Sequence, residues 1–145
     1  MMKIAICSDH AGFELKSKII EYLKTKEGSK LIDFGAYSSE SSDYPDFAHP
    51  MAASILQGDS DLGISICGSG NGISMTLNKH KGIRAALCWM PEIATLARKH
   101  NNANVLSLPA RFVSYSEAIK IIDAFFNSEF EGGRHQRRIE KIDIF

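Results

Sequence analysis

Apolar positions along the chain alternate between two rhythms. Short runs of strand length, several of them rich in β-branched residues, fall at residues 2–7, 30–35, 62–67, 82–88 and 105–108. Between them lie stretches with helical spacing, predicted as helices over 13–26, 47–57, from Ile73 to about Asn78, 91–100 and 116–127. Glu131-Gly132-Gly133 then breaks the chain before a last helix over 134–142. In the first helix Leu15, Ile19, Tyr22 and Leu23 form an apolar stripe. In the fourth, Ile93, Leu96, Ala97 and His100 are spaced i, i+3, i+4 and i+7, which predicts that His100 extends the inward stripe. Pro91 suits a first helical turn, Pro50 is tolerable only near one, and Ser114 or Ser116 is predicted to cap the fifth helix. Asn101 to Asn104 reads as a helix C-cap.

Five consecutive strand–helix units imply a parallel sheet covered on both faces, with right-handed crossovers. The expectation is a three-layer αβα, Rossmann-like, doubly wound five-stranded sheet of order 2-1-3-4-5, with an extra C-terminal helix. Ligands of such sheets bind beyond the carboxyl ends of the strands where the order reverses, here strands 1 and 3. Those ends carry Asp9-His10 and Cys67-Gly68-Ser69-Gly70-Asn71-Gly72. The most chemical stretches therefore converge on the predicted site.

The second of these stretches organises the chain. A strand, three glycines in five residues and a helix make an anion cradle, because loop and first-turn N–H groups lack intrahelical partners. It is neither G-x-G-x-x-G nor a Walker A loop. Cys67 stands at the carboxyl end of the strand, where a thiolate is favoured by the N–H groups around it. Cys67 is accordingly read as a catalytic base, and Gly68 to Gly72 as the groups that bind the negative charge it creates.

Composition adds bounds. The chain has 145 residues, expected to form one domain over 1–145, and a formal net charge of zero. A balanced charge gives no general attraction to nucleic acid or an anionic membrane. No apolar run approaches the length of a membrane span, and the amino terminus reads as a strand rather than a signal peptide. Cys7, Cys67 and Cys88 show no C-x-x-C spacing, which fits free thiols in a reducing, cytoplasmic setting. The five histidines show no paired ligand spacing, so no metal site is expected.

Other candidates follow from position. Asp9 either caps the coming helix or, with His10, offers a carboxylate and an imidazole to a sugar hydroxyl or a proton. Asp43-Tyr44-Pro45 follows strand 2 and is placed to reach the same site, although turn chemistry explains it as well. Arg111 follows strand 5. Arg134 and Arg138 are i, i+4 on the last helix, a spacing that lets two guanidiniums grip one phosphate or that simply marks a solvated basic face.

Taken together, Ser8-Asp9-His10-Ala11-Gly12, Asp43-Tyr44-Pro45, Ile66-Cys67-Gly68-Ser69-Gly70-Asn71-Gly72, Gly82-Ile83-Arg84-Ala85, His100-Asn101-Asn102-Ala103-Asn104-Val105 and Glu131-Gly132-Gly133-Arg134-His135-Gln136 resemble the ribose-5-phosphate isomerase B family, grouped with the galactose-6-phosphate isomerase subunits. The resemblance spans about residues 2–143. It implies a cofactor-independent interconversion of ribose 5-phosphate and ribulose 5-phosphate through an enediolate. Cys67 then matches the base, His100 the group that helps open the furanose ring, and Gly68, Ser69, Gly70, Asn71 and Gly72 the loop that stabilises the enediolate. Asp9, His10 and Asn101 match substrate-hydroxyl contacts, and Arg111, Arg134 and Arg138 the arginines expected to hold the phosphate. Ser69 stands where many members have threonine; the hydroxyl is kept. The resemblance also implies a homodimer or homotetramer with sites shared between subunits. A six-carbon sugar phosphate (allose 6-phosphate or galactose 6-phosphate) and a non-catalytic sugar-phosphate-binding module remain as alternatives.

Overall fold

A computed structural model describes residues 1–144. Met2–Ser8 (β1), Ser29–Asp33 (β2), Leu62–Cys67 (β3), Ala85–Leu87 (β4) and Val105–Pro109 (β5) form one all-parallel sheet. The helices are Phe13–Lys24 (α1), Pro45–Leu56 (α2), Asn71–Leu77 (α3), Pro91–Asn101 (α4), Tyr115–Phe126 (α5) and Arg134–Ile139 (α6), with a single 3₁₀ turn, His10–Gly12, ahead of α1.

Alternation along the strands sets the layers. Ile4, Ile6, Ile64, Ile66, Leu106 and Leu108 pack with Ile19 and Leu23 of α1, Ala94 and Ala97 of α4, and Ile121 and Phe125 of α5. On the opposite face Ala5, Cys7, Cys67 and Val105 pack with Ala48, Met51 and Ala52 of α2 and with Ile73 and Leu77 of α3. The three-layer doubly wound architecture is thus as the sequence predicts.

The strand order is not. It runs β2-β1-β3-β5-β4 rather than 2-1-3-4-5. The physical reason is burial: every residue of β5 is buried, whereas β4 has three residues, all half-exposed. A short, half-wet strand belongs at an edge, and a fully buried one belongs inside. A buried hydroxyl pair, Ser65 Oγ to Ser107 Oγ at 2.7 Å, joins β3 to β5 in register.

Smaller departures have local causes. Pro50 lies in the second turn of α2, because that helix starts at Pro45 rather than at residue 47. Pro50 is exposed, so water can satisfy the carbonyl that its missing N–H leaves free. In α4 the buried residues are Ala94 and Ala97, while Leu96 is 43% exposed. The inward stripe is therefore narrower than the spacing predicts, and His100 sits at its flank. The last helix ends at Ile139. Ser114 is the α5 cap, in a capping box with Glu117. Asn102, in the left-handed region at φ 44°, closes α4.

The order of β5 matters for the loop after β3. Gly70 has φ +77°, and a Cβ there would lie 2.4 Å from Leu87 Cδ1 and 3.3 Å from the Leu108 carbonyl carbon. The loop thus rests on β5 and β4 together. Gly70→Ala is expected to lose about 1–2 kcal/mol from the left-handed backbone alone, with overpacking adding to it. Urea unfolding of the variant checks this; an unchanged midpoint would refute it.

Candidate active site

Three loops meet at the carboxyl end of the sheet, and backbone bonds join them. After β1, the Asp9 N–H donates to the Ile66 carbonyl (3.2 Å). The next turn rests against β3 so closely that a Cβ on Gly12 would lie 2.7 Å from the Ile66 oxygen. Asp9 Oδ1 accepts from Gly12 N (3.2 Å), the capping role that the sequence allows, and Asp9 is also among the residues that line the cleft. After β5, the Ala110 N–H donates to the Cys67 carbonyl (2.9 Å) and the Arg111 N–H to the Gly68 carbonyl (3.0 Å). The Arg111 guanidinium lies along Gly68, where a Cβ would be 3.1 Å from its nitrogen.

The resulting cleft, about 500 Å³, is lined by Asp9, His10, Tyr44, Cys67, Ser69 and Arg111, together with Gly68 and Gly72. His10 Nδ1 accepts from the Ser42 N–H (3.1 Å). The same nitrogen lies 3.2 Å from the Ser42 carbonyl oxygen, so the Ser42 backbone offers a partner to either tautomer of the ring. Ser69 Oγ accepts from the Asn71 N–H (3.2 Å), which fixes the hydroxyl in the loop. Gly72 leaves room for Tyr44, whose ring would be 2.4 Å from a Cβ at that position.

Of the three thiols, Cys67 is the one that reaches this cleft. Burial raises Cys7 far above the ordinary thiol range, with Lys16 opposing, and pushes Cys88 up to about 12. Those two are packing residues at neutral pH.

His100, Asn101, Arg134 and Arg138 do not line the cleft. Arg134 and Arg138 are exposed on α6. Asn101 ends α4 and its carbonyl accepts from Arg84 Nε (3.0 Å). The His100 ring stacks on that of His135, with centroids 4.1 Å apart and planes 12° from parallel. Glu131 Oε1 lies 3.5 Å from His100 Nε2 and 3.7 Å from His135 Nε2.

Residues far apart in sequence thus meet, and so do His49 and His80, Nδ1 to Nε2 at 2.7 Å. His100, Glu131 and His135 hold three ligand-type atoms within 4.8 Å. Nearly parallel rings, however, aim their in-plane lone pairs side by side, whereas a tetrahedral ion needs them to converge. Ser42, Phe112, Glu131 and His135 carry no role in the sequence reading, because only tertiary structure brings them to functional groups. Ser42 and Phe112 leave slight signal in the sequence, whereas Glu131 and His135 stand in the Glu131-Gly132-Gly133-Arg134-His135-Gln136 stretch on which the family resemblance partly rests.

Burial, then His100 and Arg134, lower the His135 pKa from 6.5; burial, then His49, lower that of His80. The folded chain therefore keeps both rings neutral at a pH where the unfolded chain, at 6.5, takes up protons. Their contribution to stability is present above 6.5 and is lost as pH falls below it. Denaturant unfolding at about pH 7.5 and about pH 5.5 should show this loss, and His135→Gln should reduce it. An equal loss in the variant would remove His135 from the account.

Comparison with known proteins agrees with this geometry. The ribose/galactose isomerase family model matches residues 4–142. The chain is 46% identical over 142 residues to ribose-5-phosphate isomerase B of Escherichia coli, covering 98% of this chain and 95% of that one. The ribose 5-phosphate isomerase structure from Thermotoga maritima superposes with a TM-score of 0.96 at 52% identity, covering 99% of both chains. The Mycoplasma genitalium ribose-5-phosphate isomerase B, solved with bound ribulose-5-phosphate, gives 0.91 at 52% identity over 97% of this chain and 93% of that one. Sheet order, cleft and end-to-end similarity together place this chain in the ribose/galactose isomerase family.

Proposed function

We propose that residues 1–145 act as one sugar-phosphate isomerase domain, interconverting D-ribose 5-phosphate and D-ribulose 5-phosphate in the cytoplasm without a cofactor. The observation that carries this reading is Cys67, 4% exposed, in the wall of a cleft that also holds Asp9, His10, Ser69 and Arg111. In the open-chain aldose, the Cys67 thiolate takes the C2 proton and the electron pair moves to the C1 oxygen. The enediolate is held by the N–H groups of Gly68 to Gly72 and by Ser69; such donors are worth about 3 kcal/mol each. The proton returns to C1, the O2 proton passes to O1, and the ketose results. Asp9, His10 and Asn101 hold hydroxyls, and Arg111, Arg134 and Arg138 hold the phosphate, whose binding orients the C1–C2 unit. His100 assists ring opening.

His100, Asn101, Arg134 and Arg138 lie outside the cleft of their own chain, so this reading has a second copy supply them, as a homodimer or a pair of such dimers. Met75, 65% exposed on α3 beside Leu87 of the edge strand, offers that copy an apolar surface.

NMR in D₂O with ribose 5-phosphate and allose 6-phosphate tests the activity. Ribulose 5-phosphate carrying deuterium at C1 is the expected product; turnover of the six-carbon sugar alone would keep the mechanism and change the substrate. Cys67→Ala should lower kcat by roughly 10²–10⁴-fold with folding retained, and near-normal turnover would sink the base assignment. Mixing Cys67→Ala with the double variant Arg134→Ala/Arg138→Ala should restore up to about a quarter of wild-type activity if two-fold-related copies share sites. No recovery after subunit exchange would mean that each chain is self-sufficient.

A further inference from the structure

Two groups beside His100 have no part in the reaction as written above. His135 is 7% exposed on a six-residue helix whose neighbours Arg134, Gln136, Arg137 and Arg138 are all exposed. Its Nε2 is fully buried and makes no hydrogen bond among the described residues. A phenylalanine would fill the same space without burying an unpaired ring nitrogen, so packing alone does not account for an imidazole here. The ring lies flat on His100, and one carboxylate oxygen of Glu131 stands beside both Nε2 atoms. Glu131 is itself held to α4, since its N–H donates to the Lys99 carbonyl (3.0 Å), one residue before His100.

We infer that His135 and Glu131 are positioning residues for His100: the stacked ring sets the plane of its imidazole, and the carboxylate holds its Nε2 edge. This rests on the reading of His100 as the ring-opening group. Ring opening breaks the C1–O4 bond, whose electron pair leaves with O4. O4 takes up a proton, and the C1 hydroxyl gives one up to become the aldehyde. Proton delivery at one atom and removal at another demand a ring fixed in orientation, not merely nearby. The isomerisation step that follows involves C1, C2 and the loop after β3, and has no need of this orientation.

The substrates separate the two steps. Ribose 5-phosphate is a furanose and must be opened. Ribulose 5-phosphate is open-chain, because the O5 that would close a five-membered ring on its C2 ketone carries the phosphate. The test compares turnover of ribose 5-phosphate with deuterium uptake at C1 of ribulose 5-phosphate in D₂O. It uses the full-length wild type, Glu131→Gln, His135→Leu, His135→Phe and His100→Asn.

For Glu131→Gln and His135→Leu, ribose 5-phosphate turnover should fall about tenfold to a hundredfold while deuterium uptake falls less than about twofold. His135→Phe, which keeps a stacked ring, should recover part of the loss seen in His135→Leu. Deuterium uptake doubles as the check on folding. A parallel fall in both readouts, or a fall in neither, overturns the positioning role. His100→Asn with undiminished ribose 5-phosphate turnover overturns the ring-opening assignment on which it rests. A wild type silent in both readouts overturns the isomerase reading itself.

Discussion

The site depends on three backbone hydrogen bonds that continue the sheet past its strands. Asp9 N to Ile66 O, Ala110 N to Cys67 O and Arg111 N to Gly68 O fasten the loops after β1, β3 and β5 to one another. Each contributes only about 1 kcal/mol net, but together they turn three separate loops into one surface. The end of β3 sits in the middle, bonded through Ile66 on one side and through Cys67 and the following Gly68 on the other. Side chains more than a hundred residues apart in sequence, such as Asp9 and Arg111, are then held by main chain rather than by their own flexible stems. That main-chain scaffold exists because β5 lies beside β3.

The alternation of strands and helices was legible because β1, β3 and β5 are buried almost throughout and the helices bury one face, so burial writes its period into the sequence. The convergence of Asp9, His10 and Cys67 was legible for a related reason: strand ends at a change of direction are where a doubly wound sheet opens. The order of β4 and β5 was harder. Hydrophobic pattern reports how deeply a strand is buried, not which strand lies next to it. The contrast between fully buried Val105–Pro109 and half-exposed Ala85–Leu87 held the answer, but a sequential order is the simpler assumption. The α4 stripe misled for a different reason. Ala94 and Ala97 let the helix approach the sheet closely, so the larger Leu96 is left outside. The pairing of His100 with His135 leaves no periodic trace, since it joins residues on two helices.

The chain carries its candidate groups in two places. Cys67, the glycine loop and Arg111 belong to the sheet's carboxyl end; His100, Asn101, Arg134 and Arg138 belong to the ends of α4 and α6. Net charge is zero, so attraction for an anion comes from where the arginines stand, not from the field of the whole molecule. The carboxylate of Glu131 among these cations keeps the tail from being uniformly basic and gives its two imidazoles a common neighbour.

The strand order has a consequence for how the molecule is assembled. A chain made from its amino terminus completes β1, β2 and β3 early, and β1 then has both of its partners in the sheet. β4 is then made with no neighbour, because the slot beside it belongs to a strand that does not yet exist. Until residues 105–109 have been synthesised, the glycine loop lacks the support of Ala110 and Arg111, and one side of β3 is an open edge. Between the completion of β3 at Cys67 and of β5 at Pro109 the nascent chain therefore carries a central strand open on one side, and a single late insertion closes the sheet and shapes the cleft together.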